Sequence, residues 1–327
     1  MLTIPRRRLL AATGAAALPA GLARAQGAGF PSQTLRLVVP FAPGGATDIV
    51  ARLIQPGMQE NLNQTVVVEN RGGAAGVIGS EAVLNAPPDG HTFIIYTMTN
   101  AILAAGLYRN PRIDPRRDFQ PVSLVARLPM VLTVGKHVPA NTLDELVKLM
   151  RERPGRLTYG SAGIGSLNHF GGHMLTSLTN TQATHVPYRG SGPVYADMIA
   201  GNVDMMIEGI ASQVGYIRNG QVRAIATLAP ERNPQLPDVP TAVEQGMPDF
   251  NIINFMAIFA PAGVPAPAVK RLEQAVRAAV HKEEINRRLQ DAGTDPAGTT
   301  VEEFRAWYQA QLALWLPLVE SSGIKLD

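Results

Sequence analysis

Leu35-Arg36-Leu37-Val38-Val39-Pro40-Phe41-Ala42-Pro43-Gly44-Gly45-Ala46-Thr47-Asp48 joins a short aliphatic run to a helical pattern through two adjacent glycines. Residues 35–39 read as a buried strand, and 49–62 repeat apolar side chains at helical spacing. Paired glycines let the backbone turn sharply, and Thr47 or Asp48 stands where a helix cap is expected. First-turn N–H groups would then face the carboxyl end of the strand, which is an anion-binding geometry. The turn has neither the lysine of a phosphate loop nor the third glycine of a dinucleotide fingerprint, which disfavours a nucleotide. A tight strand-to-helix turn with no ligand fits the same residues.

The alternation continues outward. Residues 65–68 and 92–96 read as strands, then 131–134, 157–159, 184–186, 205–207 and 222–227. Thr142 and Glu145 form the capping-box pattern of an intervening helix. Strands alternating with helices predict an α/β fold with largely parallel pairing, and so many strands predict two smaller sheets. Val269, Leu272, Val276 and Val280 then share one helix face, and Thr300 with Glu303 caps a second helix carrying Phe304, Tyr308, Leu312 and Trp315. These closing helices are expected to cover the first sheet. The chain would cross out near residues 127–129 and return through 252–259, with the Pro-rich stretch 234–240 a rigid loop in the second domain.

Arg6-Arg7-Arg8 precedes an apolar run at 9–22 that ends at Ala23-Arg24-Ala25. This is the order of a secretory signal cleaved near Ala25; the Arg pair with two leucines resembles a twin-arginine signal, and ordinary secretion is the alternative route. The run is shorter than the ~20 residues a membrane span needs. Removing the segment's four arginines leaves 25 basic residues against 26 acidic, a net of −1. A near-neutral surface without a basic run gives no footprint for nucleic acid.

With no cysteine in 327 residues, disulfides, thiolate metal sites and thiol nucleophiles are all ruled out. Two further turns share the first one's design. One runs Tyr159-Gly160-Ser161-Ala162-Gly163-Ile164-Gly165-Ser166-Leu167-Asn168-His169, the other Tyr188-Arg189-Gly190-Ser191-Gly192-Pro193. Three donor-rich helix starts suggest the facing lips of one cleft that holds a carboxylate without arginine. His169 and His173 share a helix face at metal-ligand spacing, but the glutamate of a zinc hydrolase is missing and no third ligand is signalled. His169 reads instead as a ligand contact or a loop brace. Ser166 lies in no nucleophile elbow. Glu283-Glu284 and Glu302-Glu303 diverge around their helices and read as solvated faces or caps. Glu208 ends the run Met205-Met206-Ile207, where it either accepts an ammonium or hydroxyl from a ligand or is a surface acid. No catalytic set, metal or cofactor is expected.

Taken together, Pro43-Gly44-Gly45 through Asp48, Val68-Glu69-Asn70-Arg71, Pro88-Asp89-Gly90-His91-Thr92, Gly160 to His169, Val186-Pro187-Tyr188-Arg189-Gly190, Gly201-Asn202-Val203-Asp204 and Pro237-Asp238-Val239-Pro240-Thr241 resemble the solute receptors of the tripartite tricarboxylate transporter family, the Bug proteins. The resemblance spans nearly all of the chain after the signal. It implies a two-lobed, type II-like periplasmic-binding-protein fold with two α/β domains joined by two crossover strands. A small organic carboxylate would bind in the cleft between the lobes and pass to integral membrane components of a transporter. The domains are expected at 26–128 plus 254–327 and at 129–253, in a monomeric periplasmic protein.

Carried over by motif, Phe41, Gly44, Gly45, Thr47 and Asp48 form one lip, and Ser161, Gly163, Gly165, Ser166 and His169 the other. Pro43, Asn100, Tyr188, Gly190 and Glu208 complete the candidate set. The chain departs from the family pattern at Leu103-Ala104-Ala105-Gly106, Asn254 and Ala257, changes that bear on which ligand is bound. A ligand sensor serving a signalling partner, or a periplasmic hydrolase or isomerase on a similar cleft, are the competing readings.

Overall fold

The computed structural model describes residues 29–73, 76–108 and 112–325; the expected export signal lies outside them. The chain begins β1 (Leu35–Val39), α1 (Ala46–Leu62), β2 (Val66–Asn70), α2 (Val77–Leu84) and β3 (Thr92–Thr97). β1 pairs in parallel with β2 and β3, the pairing that a helical crossover allows. A π-helical turn, Thr99–Leu103, runs on into α3 (Ala104–Leu107), and α4 (Pro115–Asp118) follows. Asp114 caps α4 and Pro115 opens it, the favoured order for a helix start.

β4 (Phe119–Gly135) decides the architecture. The sequence shows only its far end as a strand, because Pro121 and Pro129 interrupt an otherwise aliphatic stretch. Its first part pairs antiparallel with β9 (Ile253–Pro261), ending at Pro129 opposite Ile253. From Met130 onward it pairs antiparallel with β7 (Met205–Gly209) and β8 (Val222–Thr227). Pro129, which has no N–H to donate, stands where β4 changes partners.

Between those crossings lie α5 (Leu143–Glu152), β5 (Thr158–Ser161), α6 (Leu167–Thr179), β6 (Thr184–Pro187), α7 (Ser191–Ala200) and α8 (Ile210–Arg218). β5 is parallel to β6 and β7. The chain closes with α9 (Ala266–His281), α10 (Glu283–Asp291), β10 (Asp295–Pro296) and α11 (Val301–Ser321). β10 pairs with β4 at Arg127 and Ala126.

The strand order β2-β1-β3-β9-β4-β7-β5-β6 is one hydrogen-bonded path, with β8 and β10 also on β4. Two expectations are corrected here. Pairing is parallel only in the outer strands, because β4 and β9 run antiparallel through the middle. The two sheets are also joined, since a 17-residue strand belongs to both.

The helical stripes behave as their spacing predicts. Val269, Leu272, Val276 and Val280 are buried with α1 and β1 residues in one core. Phe304, Tyr308, Leu312 and Trp315 are buried in a second core on the other face, with Phe304 5.3 Å from Phe259 of β9. Thr300 and Glu303 form the full capping box, and Glu283, Glu284, Glu302 and Glu303 are exposed. At α5 only half of the expected box forms: Thr142 accepts from Glu145 N–H, while the Glu145 carboxylate turns to Asn141 N–H. The Tyr308 hydroxyl donates to the Ala101 carbonyl at 2.6 Å, fixing the π-helical turn against α11. No helix among the described residues is long and apolar enough to cross a membrane.

Candidate functional site

Where β4 changes partners, the start of α1 faces the start of α8 across a cavity of about 460 Å³. Phe41, Ala46, Thr47, Ile49 and Val50 line one side, and Glu208, Gly209, Ile210, Ala211 and Ser212 the other. Leu128, Met130, Asn254 and Met256 of the crossing strands also line it, with Thr97 at the end of β3 and Thr99 at the start of the π-helical turn. Along β4, Leu128 and Met130 line this cavity and Arg127 a separate one of about 540 Å³, as alternation of side chains along a strand predicts, while Pro129 at the change of partners borders both.

The glycine turn forms as predicted, but its cap differs. Gly45 is the N-cap, so Ala46, Thr47 and Asp48 occupy the first turn rather than the cap position. Gly44 has φ +85°, a conformation natural to glycine. Its N–H donates to Asp48 Oδ2 at 2.9 Å, so this donor is used inside the turn. Asp48 also accepts from Arg52 and from Asn70, each at 3.0 Å. Burial raises the pKa of this carboxyl, but the hydrogen bonds from Arg52, Gly44 and Asn70 and the Arg52 charge outweigh it and hold it below its usual value. The first-turn amides of α1 have no carbonyl of their own helix to meet. Thr47 brings its side chain to the cavity beside them.

Pro43 is exposed at the apex of this turn. Asn100 is buried in the π-helical turn just behind Thr97 and Thr99, and accepts from the Thr97 hydroxyl at 3.0 Å.

The second turn is held mostly by its own residues. Ser166 is the N-cap of α6; its hydroxyl accepts from His169 N–H at 3.3 Å and donates to the Gly163 carbonyl at 2.7 Å. Gly163 and Gly165 both have positive φ, +140° and +80°. Gly165 N–H donates to His169 Nδ1 at 3.2 Å, which makes His169 a loop brace and leaves its other nitrogen to carry the proton. A third histidine that the sequence did not signal, His185 of β6, stacks on His169 with centroids 3.7 Å apart. It also bonds Ser161 Oγ at 2.7 Å. The three imidazoles do not make a metal centre: no His, Asp and Glu grouping able to hold an ion exists among the described residues. Burial and the neighbouring imidazoles, His185 and then His173, push the pKa of His169 down to about 4. Burial lowers those of His173 and His185 as well.

The third turn docks on the second. Tyr188 and Gly190 donate their N–H groups to the Ser161 and Ala162 carbonyls at 3.0 and 3.1 Å, and the Tyr188 hydroxyl bonds Asp197. Ser191 at the start of α7 hydrogen-bonds Glu208, whose other oxygen accepts from Gly209 N–H at 2.7 Å. Phe41, Thr47 and Glu208 therefore meet around one cavity. Ser161, Gly163, Gly165, Ser166, His169, Tyr188 and Gly190 form a hydrogen-bonded set that connects to Glu208 through Ser191, and they do not line that cavity.

Thr97, Thr99, Met130 and Ser212 were not singled out in the sequence. Among the other liners, Asn254 carried a signal as a departure from the family pattern, and Leu128, Pro129 and Met256 lie in the stretches expected to cross between the domains; Asn254 also accepts from Met98 N–H at 3.4 Å.

Residues 50–324 match the model of the tripartite tricarboxylate transporter family receptor. The chain belongs to that family. It is 39% identical over 318 residues, 97% of this chain and 94% of the relative, to a protein encoded between tcbD and tcbE in Pseudomonas sp. strain P51. With protein BugT of Bordetella pertussis it shares 33% identity over 98% of each chain. Among solved structures, MatC of Rhodopseudomonas palustris with bound malate superposes with TM-score 0.74 at 35% identity, covering 89% of this chain and all of that one. An R. palustris protein with adipate gives 0.77 at 32% identity, over 90% and 99% of the two chains. The receptor thus has the two-lobed α/β fold of the family's periplasmic solute-binding proteins, and it is a binding protein rather than an enzyme.

Proposed function

We propose that this receptor captures a small organic carboxylate between its lobes in the periplasm and presents it to the integral membrane components of a tripartite tricarboxylate-type transporter. The observation that carries this reading is the α1 helix start, with Thr47 beside it, opening onto a cavity whose other wall comes from the β7–α8 turn. A helix start attracts an anion by about 0.3 to 2 kcal/mol, depending on burial. The malate and adipate held by the two R. palustris relatives agree with that chemistry.

In this reading the lobes are residues 26–128 plus 254–327 and residues 129–253, hinged where β4 and β9 cross. The change of partners after Pro129 supports that division. Phe41, Thr47 and Glu208 touch the ligand. Pro43, Gly44, Gly45, Asp48 and Asn100 shape the first lip, and Ser161, Gly163, Gly165, Ser166, His169, Tyr188 and Gly190 the second. The receptor works as a monomer and is exported by a signal removed near Ala25, so N-terminal sequencing of periplasmic material should begin near Gln26.

A thermal-shift panel of mono-, di- and tricarboxylates on ligand-free protein tests the reading. A ligand at a hundred times its Kd stabilises the folded state by about 2.7 kcal/mol, which raises Tm by several degrees. A flat response to every acid would reject it.

A further inference from the structure

Among the described residues, Glu208 is the one ionisable side chain lining the cavity between α1 and α8, and no lysine or arginine lines it. The rest of the wall is aliphatic or neutral, with Ile49, Val50, Leu128, Met130, Ile210 and Met256 on one hand and the hydroxyls of Thr47, Thr97, Thr99, Ser212 and Thr294 on the other. Glu208 is only half-buried at the end of β7, opposite Val131 of β4. One of its oxygens accepts from Ser191 and the other from Gly209 N–H.

A carboxylate offers about four lone-pair sites, so two remain for a ligand. At the α7 start the Ser191 hydroxyl already donates to the protein's own Glu208 carboxylate. A second ligand carboxylate placed beside Glu208 would meet a like charge with no cation lining the cavity to offset it. An ammonium would instead find an acceptor with free lone pairs.

We propose that the preferred ligand is a zwitterion: its carboxylate sits at the α1 start and its ammonium, across an aliphatic spacer, on Glu208. This rests on the reading of the cavity as a carboxylate site and narrows it to amine-bearing acids, in place of the dicarboxylates that the two R. palustris relatives hold.

The test is titration calorimetry on ligand-free protein with chain-matched triplets: γ-aminobutyrate, succinate and butyrate, then ε-aminohexanoate, adipate and hexanoate. In at least one triplet the amino acid should bind tenfold or more tighter than the matched diacid. Glu208→Gln, checked for folding by circular dichroism, should erase that preference, because the amide keeps the size but not the charge. A mere structural role for Glu208 would weaken all ligands alike and leave the ratio unmoved. Diacids binding as well as amino acids, or a preference that survives Glu208→Gln, would overturn the proposal while leaving the carboxylate reading intact. No binding by any of the six acids would overturn the zwitterion proposal, and the carboxylate reading falls with it only if the thermal-shift panel is flat as well.

Discussion

The imidazoles of His169 and His185 stack with centroids 3.7 Å apart and planes 6° apart, directly behind the second glycine turn. Two charged rings in such contact would repel each other. His169 is further enclosed by Phe170 and Tyr159, and its Nδ1 must stay unprotonated to accept from Gly165 N–H. Its pKa of about 4 in the folded protein lies below the 6.5 of an unperturbed histidine.

That difference fixes a pH dependence. Between pH 6.5 and 4 the unfolded chain binds a proton at His169 that the folded protein refuses, so stability falls as pH falls through this window. The full loss from this one group is on the order of 3 kcal/mol. Urea unfolding of the wild type and of His169→Gln at a series of pH values checks it. The variant should lose less stability per pH unit in this range; parallel curves would assign the acid sensitivity elsewhere.

Adjacent glycines in the first turn should differ sharply. Gly44 has φ +85°, whereas Gly45 has φ −78° and only the Ala42 carbonyl, at 3.8 Å, near an added Cβ. Gly44→Val should distort the turn at a cost of about 1 to 3 kcal/mol and weaken carboxylate binding at least tenfold. Gly45→Ala should fold normally and bind within a few-fold of wild type. Equal affinities for the two variants in calorimetry would place the anion away from this turn.

Ser166→Ala should act on stability more than on binding. The hydroxyl caps α6 and bonds the Gly163 carbonyl, and losing a cap costs about 0.5 to 2 kcal/mol. Chemical denaturation should show that loss while the Kd for the bound acid changes by less than about fivefold. A large loss of affinity without destabilisation would mean the hydroxyl reaches the ligand.

The strands and helices with clean periodicity were legible because burial enforces a period: β1, β3, β8, α9 and α11 stand where the apolar spacing put them. β4 was not, because Pro121 and Pro129 break the pattern of a strand that tolerates them at a register shift and at its change of partners. The three turns were legible as glycine-rich helix starts. Their internal wiring was not, since nothing local in the sequence says that Asp48 reaches back to Gly44 or that His185 lies on His169. Thr97 and Met130 escaped notice for a related reason: they reach the cavity through sheet order, which sequence spacing does not encode.

Asp48 provides the sharpest test of the first lip, because it is buried in the helix's first turn yet reaches back to Gly44 N–H. Its pKa is lowered in the folded state, so it contributes stability above about pH 4 that is lost as the pH falls further. Arg52 is half exposed, so the ion pair itself contributes little, and the hydrogen bonds to Gly44 and Asn70 matter more. Asp48→Asn keeps an oxygen for Gly44 N–H and should bind carboxylate within a few-fold of wild type. Asp48→Ala leaves that N–H without its acceptor and Asn70 with only the Phe41 carbonyl, and should cost about 1 to 3 kcal/mol of stability. It should also weaken binding at least tenfold by loosening the turn that presents the α1 start. Calorimetry and denaturation on both variants separate the possibilities. If Asp48→Asn is as damaging as Asp48→Ala, the charge rather than the turn geometry carries the effect; if Asp48→Ala binds normally, the glycine turn holds its shape without this carboxylate.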